Sequence, residues 1–248
     1  MNADSAGKPV CLVVGAGDGL GGAIARAFAA EGYTSCVTRR ARNLASLETL
    51  TRSIQAMGVQ AFAYGVDARS EAEMAALVDA IERDVGPLEV VVFNIGANVN
   101  FTVIETTARV FTKVWEMACF AGFLTGREAA RVMAPRGRGT ILFTGATASL
   151  RGAAGFSAFA AAKAGLRAVA QSMARELSPR GIHVAHVVVD GAIDGVFTRE
   201  RLPDAQARLE RDEILRPDEI ASNYVMLHRQ QRSSWTFEMD VRPWVEKW

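Results

Sequence analysis

A glycine-rich segment near the N-terminus has the residue types and spacing of a phosphate-binding loop. Gly15, Gly19 and Gly21 follow an apolar run with the spacing G-x-x-x-G-x-G, and a helical pattern begins at Leu20. Glycine permits a sharp turn and lets backbone N–H groups approach a pyrophosphate, while a helix N-terminus adds a favourable partial positive charge. The alternative is that these glycines serve only tight packing. The pattern favours dinucleotide binding by Gly15, Gly17, Asp18, Gly19, Leu20 and Gly21.

A second segment places an amine one helical turn after an aromatic ring. In GFSAFAAAKAG, which runs from Gly155 to Gly165, Phe159 stands four residues before Lys163. A hydrophobic neighbour disfavours the charged ammonium, so we expect a lowered pKa for Lys163 and the ability to exchange a proton directly. Phe159 cannot exchange a proton, because a phenyl ring has no hydroxyl.

Short apolar runs alternate with helical patterns along the whole chain. Mostly apolar strands separated by helices predict a parallel sheet covered on both faces, which is a doubly wound, three-layer α/β (Rossmann) fold. We find no repeat and no linker, so we predict a single domain over residues 1–248. The predicted strands are Val10–Val14, Tyr33–Thr38, Gln60–Val66, Leu88–Phe93, Gly139–Thr144, His183–Val189 and Trp235–Val241. One predicted helix begins at Leu20. The other longer predicted helices cover Leu44–Met57, Met74–Val85, Thr107–Met133 and Ser157–Leu177.

Composition excludes several classes of partner. The formal net charge is +1, so no bulk field attracts nucleic acid or an anionic membrane, and no apolar run is long enough to span a membrane. The three cysteines, Cys11, Cys36 and Cys119, lie among apolar residues and predict buried, reduced thiols in a cytoplasmic protein. No Cys/His spacing predicts a metal site, and His183 and His186 are expected to be structural.

On these motifs the chain resembles the short-chain dehydrogenase/reductase family over nearly its whole length. Asp67 in VDARS resembles the aspartate that hydrogen-bonds the adenine, and FNIG keeps Asn94 and Gly96 of the turn after strand four. Lys163 matches the lysine of Y-x-x-x-K. In VDGAI, Asp190 stands where the family has proline, and Gly191 keeps the following glycine. The resemblance implies further dinucleotide contacts from Asp67, Ala68, Asn94, Ile95, Gly96, Lys163, Gly191 and Ile193.

The residues after the second predicted strand bear on the choice of dinucleotide. An NAD-selective site has an acidic residue there for the ribose 2′-hydroxyl. This chain instead has Arg39 and Arg40, with Arg42 close by. Guanidinium groups bind a phosphate bidentately, so the arginines favour NADP(H) over NAD(H), which stays possible. Alternatively, the arginines only cap a sheet edge in solvent.

The same resemblance places replacements at three of the family's four catalytic positions. Phe159 stands at the tyrosine, and no tyrosine lies between Tyr64 and Tyr224. Ala146 falls at the serine, although a slip of the alignment would bring in Thr144 or Thr147. Ala118 falls at the asparagine, and only Lys163 is retained. Loss of general acid catalysis typically forfeits about 10²–10⁴-fold in rate, so we expect ordinary carbonyl reduction to be very slow.

Three functions are compatible with this pattern. The first is an NADP(H) oxidoreductase that reduces an activated C=C bond or a carbonyl with another proton donor; the second is an inactive dinucleotide-binding regulator or partner subunit. The third is a dehydration or isomerisation that keeps the nucleotide as a structural ligand. The candidate donors are Lys163, Thr147, Ser149, Ser157, Asp190, Asp194 or a bound water. A regulator would fill the space near the nicotinamide with apolar side chains such as Phe156, Phe159 and Ile193.

Assembly and pocket closure can also be predicted. The segment MACFAGFLTGREAA is apolar or small around most of its circumference, which permits close approach of another helix. Family members pair through this helix and the one carrying Phe159, so the resemblance implies a homodimer or homotetramer acting on a small molecule. Trp244 and Trp248 either fold back or pack on a neighbour. The polar segment 198–219 is either a mobile lid or a solvated helix pair.

Overall fold

The computed structural model describes residues 8–247, and it contains the predicted alternation of strands and helices. The seven strands are β1 Val10–Val14, β2 Thr34–Arg39, β3 Ala61–Gly65, β4 Leu88–Phe93, β5 Gly139–Thr144, β6 Ile182–Val189 and β7 Glu238–Val241. The helices are α1 Leu20–Ala30, α2 Leu44–Gln55, α3 Glu71–Asp84, α4 Ala108–Trp115, α5 Ala121–Met133, α6 Ser157–Leu177, α7 Val196–Arg201, α8 Ala205–Glu210 and α9 Pro217–His228. Side-chain caps mark two helix starts, because Ser70 and Thr107 each accept a backbone N–H of the first turn of α3 and α4.

All seven strands form one parallel sheet with the order β3-β2-β1-β4-β5-β6-β7. The chain runs outward from β1 to β3, then crosses back to β4 beside β1 and continues to β7. The strand order therefore reverses between β1 and β4. In open α/β sheets of this kind, ligands bind at the carboxyl ends of the strands beside that reversal. The predicted doubly wound fold is confirmed.

Two hydrophobic clusters cover the two faces of the sheet. Along β1, Cys11 and Val13 point into one cluster with α1, α2 and α9, whereas Leu12 and Val14 point into the other with α3, α5 and α6. This alternation follows from the two-residue period of a strand, and both faces are apolar because helices cover both. The sheet is a rigid, buried support for the loops at its carboxyl edge.

The long helical segment after β4 contains a feature that periodicity did not predict. A π-helical turn, Glu116–Phe120, separates α4 from α5. Single π-helical turns inside α-helices are frequent at functional sites. The turn contains Ala118, the residue predicted at the family's asparagine position, and Ala118 is fully buried.

The small residues of α5 serve packing within the chain. A Cβ on Gly122 would lie 2.3 Å from Leu166, and one on Gly126 would lie 2.6 Å from the Met173 sulfur. The close helix approach predicted from these residues is therefore made to α6 of the same chain. Among the residues that α4 and α5 expose are three aromatic side chains: Phe111, Trp115 and Phe123 are each about two-fifths exposed.

Several remaining predictions concern the ends of the chain and the polar segment. The segment 198–219 contains part of α7, all of α8 and the start of α9. The Trp244 indole N–H donates to the Arg211 carbonyl, while its ring stays largely exposed; Trp248 lies outside the described residues.

Cys11, Cys36 and Cys119 are buried free thiols. Over residues 8–247, no helix is long and apolar enough to cross a membrane, and no cluster of three or more potential metal ligands occurs.

Candidate functional site

The glycine loop lies at the carboxyl end of β1, beside the reversal of strand order. Gly15 has φ +92°, and a Cβ there would lie 2.8 Å from the Ile95 side chain. Gly21 is equally enclosed, because a Cβ on it would lie 2.6 Å from the Gly15 carbonyl oxygen. Gly19, by contrast, faces open space, and α1 begins after it without a side-chain cap. The loop therefore combines packing glycines with one glycine at an open helix N-terminus, where an anion is favoured.

A cavity of about 210 Å³ adjoins this loop. Arg39 and Arg40, at the end of β2, line it together with Asp67 and Arg69, which follow β3. The Arg39 guanidinium lies across Gly17 and donates to the Ser46 hydroxyl. The Arg69 guanidinium donates hydrogen bonds of 2.5–3.2 Å to the Asp67 carboxylate. These bonds hold the pKa of Asp67 below its ordinary value. Arg39 and Arg40, which face the same cavity, can bind a phosphate.

A second cavity, of about 490 Å³, continues from the first. The two share Asn94 and Gly96, so they form one groove along the carboxyl ends of β2, β1, β4, β5 and β6. The Asn94 amide donates to the Gly15 carbonyl and thereby fixes the turn after β4 against the glycine loop. The second cavity is lined by Leu20, Asn98, Thr144, Gly145, Ala146, Thr147, Ala148, Arg151, Ala153, Phe156, Phe159, Lys163, Val189, Gly191 and Ile193.

Lys163 lies at the inner wall of the second cavity and is almost fully buried. Its ammonium donates to the carbonyl oxygens of Thr144 at 2.8 Å and Ile95 at 3.1 Å. Burial lowers its pKa to about 8 from an ordinary 10.5, opposed by the nearby Cys119 sulfur. The structure thus agrees with the direction of the pKa shift expected from the sequence, although burial as a whole causes it and not the Phe159 ring alone.

The other predicted catalytic positions present apolar groups. Phe159 and Ala146 both line the second cavity. Ala118 does not; it packs with Val114, Cys119 and Ala162 behind the wall. The arrangement of Lys163 and Phe159 along one face of α6 follows from their spacing of four residues.

Of the predicted dinucleotide contacts, most line the groove. Gly15, Arg39, Arg40, Asp67, Ala68, Asn94, Ile95 and Gly96 line the first cavity, and Leu20, Asn94, Gly96, Lys163, Gly191 and Ile193 line the second. Gly17, Asp18, Gly19 and Gly21 belong to the adjoining loop without lining either cavity.

The other candidate proton donors predicted from the sequence differ in their hydrogen-bond partners and in whether they line the second cavity. Thr144 shares a hydrogen bond with the Tyr224 hydroxyl in the core, and the Ser149 hydroxyl accepts from the Ala146 backbone. Asp194 is held by Arg199 outside the cavity lining. Ser157 begins α6 and also lies outside the lining. Thr144, Thr147 and Lys163 line the second cavity, and of these the Thr144 hydroxyl is already bonded to Tyr224.

A polar cluster at the cavity wall is the feature that sequence reasoning did not assemble. Asp190 directly follows β6, and its carboxylate is buried. The carboxylate accepts one hydrogen bond from the Thr147 hydroxyl and another, of 3.0 Å, from the Arg151 guanidinium. Arg151 also lies 4.0 Å from the Glu246 carboxylate in the C-terminal segment. The signal in the sequence is Asp190 itself, a charged residue that directly follows an entirely apolar strand end.

Comparison with known proteins identifies the family to which the chain belongs. The sequence profile described as short chain dehydrogenase matches residues 9–205. The chain therefore belongs to the short-chain dehydrogenase family. A curated relative, the 3-oxoacyl-[acyl-carrier-protein] reductase MabA of Mycobacterium avium, is 34% identical over 188 residues, which cover 76% of this chain and 68% of MabA.

Solved structures agree with this assignment. A short-chain dehydrogenase from Rhodopseudomonas palustris is 50% identical, with a TM-score of 0.81, and the match covers 95% of this chain and 99% of that one. A short-chain dehydrogenase from Burkholderia cenocepacia, solved in complex with NADP, is 27% identical with a TM-score of 0.83; the match covers 96% of this chain and 97% of that one.

Proposed function

We propose that this chain is an NADP(H)-dependent oxidoreductase whose site transfers a proton without a tyrosine. The continuous groove supports dinucleotide binding, because it passes from an arginine-lined cavity, past a glycine loop, to a lysine. The structural neighbour from Burkholderia cenocepacia is in complex with NADP, which favours the same cofactor here.

The residues present fit such a dinucleotide. Arg39 and Arg40 would hold the 2′-phosphate, the α1 N-terminus at Gly19 would face the pyrophosphate, and Lys163 would hold the nicotinamide ribose. The open space beside Gly19, which a side chain would occupy, supports this placement. When bound, the dinucleotide supplies or accepts a hydride.

The open, partly polar second cavity is the observation that carries the proposal. A regulator that only senses the dinucleotide could fill this space with apolar side chains. Here the cavity measures about 490 Å³, which has to hold the nicotinamide as well as a substrate, and Asn98, Thr147, Arg151 and Lys163 line it beside the apolar residues. A small organic substrate therefore has both space and polar partners within this groove, as a catalytic site requires.

The absence of a phenol at residue 159 restricts the reaction. Reduction of an activated C=C bond suits the site best, since the proton delivered to the α carbon can come from water. Lys163, with its pKa lowered to about 8 by burial, is the protein group best placed to share a proton near neutral pH. Carbonyl reduction remains the slower alternative because oxyanion stabilisation lacks the usual donors.

We further infer that the chain forms a homodimer or homotetramer through α5 and α6, as the resemblance implies, with the aromatic side chains that α4 and α5 expose at the same interface. Trp115, Phe120 and Phe123 form a row of stacked rings, and Arg127 lies over the last of them. Exposed aromatic side chains of this kind are enriched at protein interfaces. Sedimentation velocity tests this inference: a monomer at micromolar concentration would contradict it, and Phe123→Asp should weaken a dimer.

The proposed activity is tested with NADPH carrying deuterium at the transferable position. The protein is incubated with enones, enoyl thioesters and ketones, and mass spectrometry measures deuterium in the products. We expect transfer to at least one activated C=C substrate, faster than to the matched saturated ketone. NADPH that binds but transfers no deuterium to any substrate would contradict the oxidoreductase and favour the regulator.

A further inference from the structure

The polar cluster of Thr147, Asp190 and Arg151 lies at the wall of a cavity that most of its other lining residues make apolar. Asp190 is 1% exposed, so its charge is removed from solvent. Burial of an unpaired carboxylate is unfavourable, and the carboxylate here has two partners, the Thr147 hydroxyl and the Arg151 guanidinium. The cluster spans two loops, after β5 and after β6, and thus fixes the Thr147 side chain at the cavity.

The hydrogen bond from Thr147 determines what that hydroxyl can offer to a ligand. A hydroxyl has one proton and two acceptor lone pairs, and an ionised carboxylate can only accept. Thr147 Oγ1 donates its proton to Asp190 Oδ1. Its oxygen is therefore available to the cavity as an acceptor. It cannot simultaneously donate to a carbonyl oxygen, so it is unsuited to replace the missing tyrosine as a proton donor.

The charge around Arg151 indicates that the ligand group is uncharged. The guanidinium binds Asp190 at 3.0 Å and lies 4.0 Å from Glu246. Its single positive charge is thus already matched by two carboxylates. An anionic ligand group would therefore find no free guanidinium beside Thr147, whereas a neutral hydroxyl would meet a hydrogen-bond acceptor there.

We propose that Thr147 binds the hydroxyl of a neutral, alcohol-bearing substrate, and that Asp190 is the positioning residue that makes Thr147 an acceptor. The proposal deepens the proposed function and rests on it, because it names a second group, a hydroxyl, on the substrate whose activated C=C bond is reduced in the same cavity. The alcohol O–H donates to Thr147 Oγ1, and the Thr147 hydroxyl donates to Asp190. Recognition is therefore directional: an alcohol can make this contact and its ketone cannot.

Calorimetric binding of shape-matched pairs tests the proposal on the full chain. The probes are cyclohexanol with cyclohexanone, and 1-tetralol with 1-tetralone, titrated without dinucleotide so that no turnover occurs. We expect each alcohol to bind about fivefold more tightly than its ketone, which corresponds to one neutral hydrogen bond. Thr147→Val should abolish this preference by lowering the affinity for the alcohol only, and Thr147→Ser should retain the preference.

Asp190→Asn distinguishes a positioning role of Asp190 from a purely structural one. The amide oxygen is expected to face Arg151, which leaves the amide N–H₂ to donate to Thr147 Oγ1. The Thr147 proton is then free for the ligand, so the ratio should shift toward the ketone. Thr140→Val, which removes a β5 hydroxyl bonded to His228, is the control and should retain the alcohol preference.

Three results would overturn the proposal: equal affinities in the wild type, an alcohol preference that survives Thr147→Val, or no binding of any probe. The proposed function is judged separately, by the fluorescence change of NADPH added to the same proteins. An alcohol preference without NADPH binding would refute the oxidoreductase while leaving the hydroxyl site in place.

Discussion

The ammonium nitrogen of Lys163 lies 6.0 Å from the centre of the Phe159 ring. The two residues are one turn apart on α6, and both line the larger cavity. An amine with a lowered pKa thus lies in the wall of this cavity beside a ring that cannot exchange a proton. The proposed chemistry depends on this pairing.

Restoring a phenol at residue 159 should create carbonyl reduction. Phe159→Tyr places a hydroxyl on the turn of α6 before Lys163, where it can protonate a developing alkoxide. We expect NADPH-dependent reduction of simple ketones to rise by about 10²-fold, as for other general acids. Initial rates of NADPH oxidation measure the change.

Phe156→Tyr is the matched control, since Phe156 lines the same cavity but stands outside α6. It should leave the rate near that of the wild type. An equal rise in both variants would mean that any phenol in the cavity suffices. No rise in either would refute the idea that the remaining site is intact.

Burial of Lys163 should appear in the pH dependence of stability. Its pKa is about 8 in the folded protein against an ordinary 10.5, so the unfolded chain binds more protons between these values. The free energy of unfolding therefore rises with pH across this window, by about 3 kcal/mol in total. Lys163→Met removes this contribution.

The measurement is the difference between wild type and Lys163→Met in urea unfolding across the same pH window. The comparison is needed because the buried Cys11 and Cys36 thiols have raised pKa values and act in the opposite direction. Parallel pH curves for the two proteins would show that Lys163 is not buried as described.

Arg39 and Arg40, which line the smaller cavity at the end of β2, should determine the preference for NADPH. Arg39→Ala or Arg40→Ala removes charge-assisted hydrogen bonds to the 2′-phosphate, so we expect the Kd for NADPH to rise about tenfold or more. The Kd for NADH should change by less than about threefold. Arg42→Ala is the control, because Arg42 is exposed and does not line the cavity. Identical effects on both dinucleotides would contradict the 2′-phosphate site.

Alanine substitutions of two loop glycines should distinguish a role in packing from a role in ligand binding. Gly21→Ala places a Cβ against the Gly15 carbonyl and should destabilise the protein by about 1–3 kcal/mol. Gly19→Ala meets open space and should leave stability within about 1 kcal/mol, yet weaken NADPH binding. Thermal unfolding and NADPH titration measure the two effects. Unchanged NADPH affinity in Gly19→Ala would place the pyrophosphate elsewhere.

Much of the fold was predictable because its signals are local. The apolar runs of β1, β4 and β5 and the pattern of α6 gave the observed bounds, since burial on both faces of a parallel sheet leaves uninterrupted apolar segments. Short or exposed elements were less accurate. The predicted strand 235–241 begins three residues later in the structure, at Glu238.

The candidate site was only partly predictable. Glycine spacing and Lys163 placed the groove, because these signals lie within short segments. Thr147, Asp190 and Arg151 come together only when the loops after β5 and β6 meet, and no single segment contains that contact. The π-helical turn at Ala118 was also missed, because periodicity alone predicts one regular helix there.

A crystal structure of the complex with NADP(H) tests the central claim most directly. We expect the 2′-phosphate beside Arg39 and Arg40, the pyrophosphate at Gly19, and the nicotinamide facing the cavity of Lys163 and Phe159. No tyrosine hydroxyl should lie within hydrogen-bond distance of the space over nicotinamide C4. A nicotinamide outside this cavity, or a tyrosine from a second copy of the chain placed over it, would contradict the account.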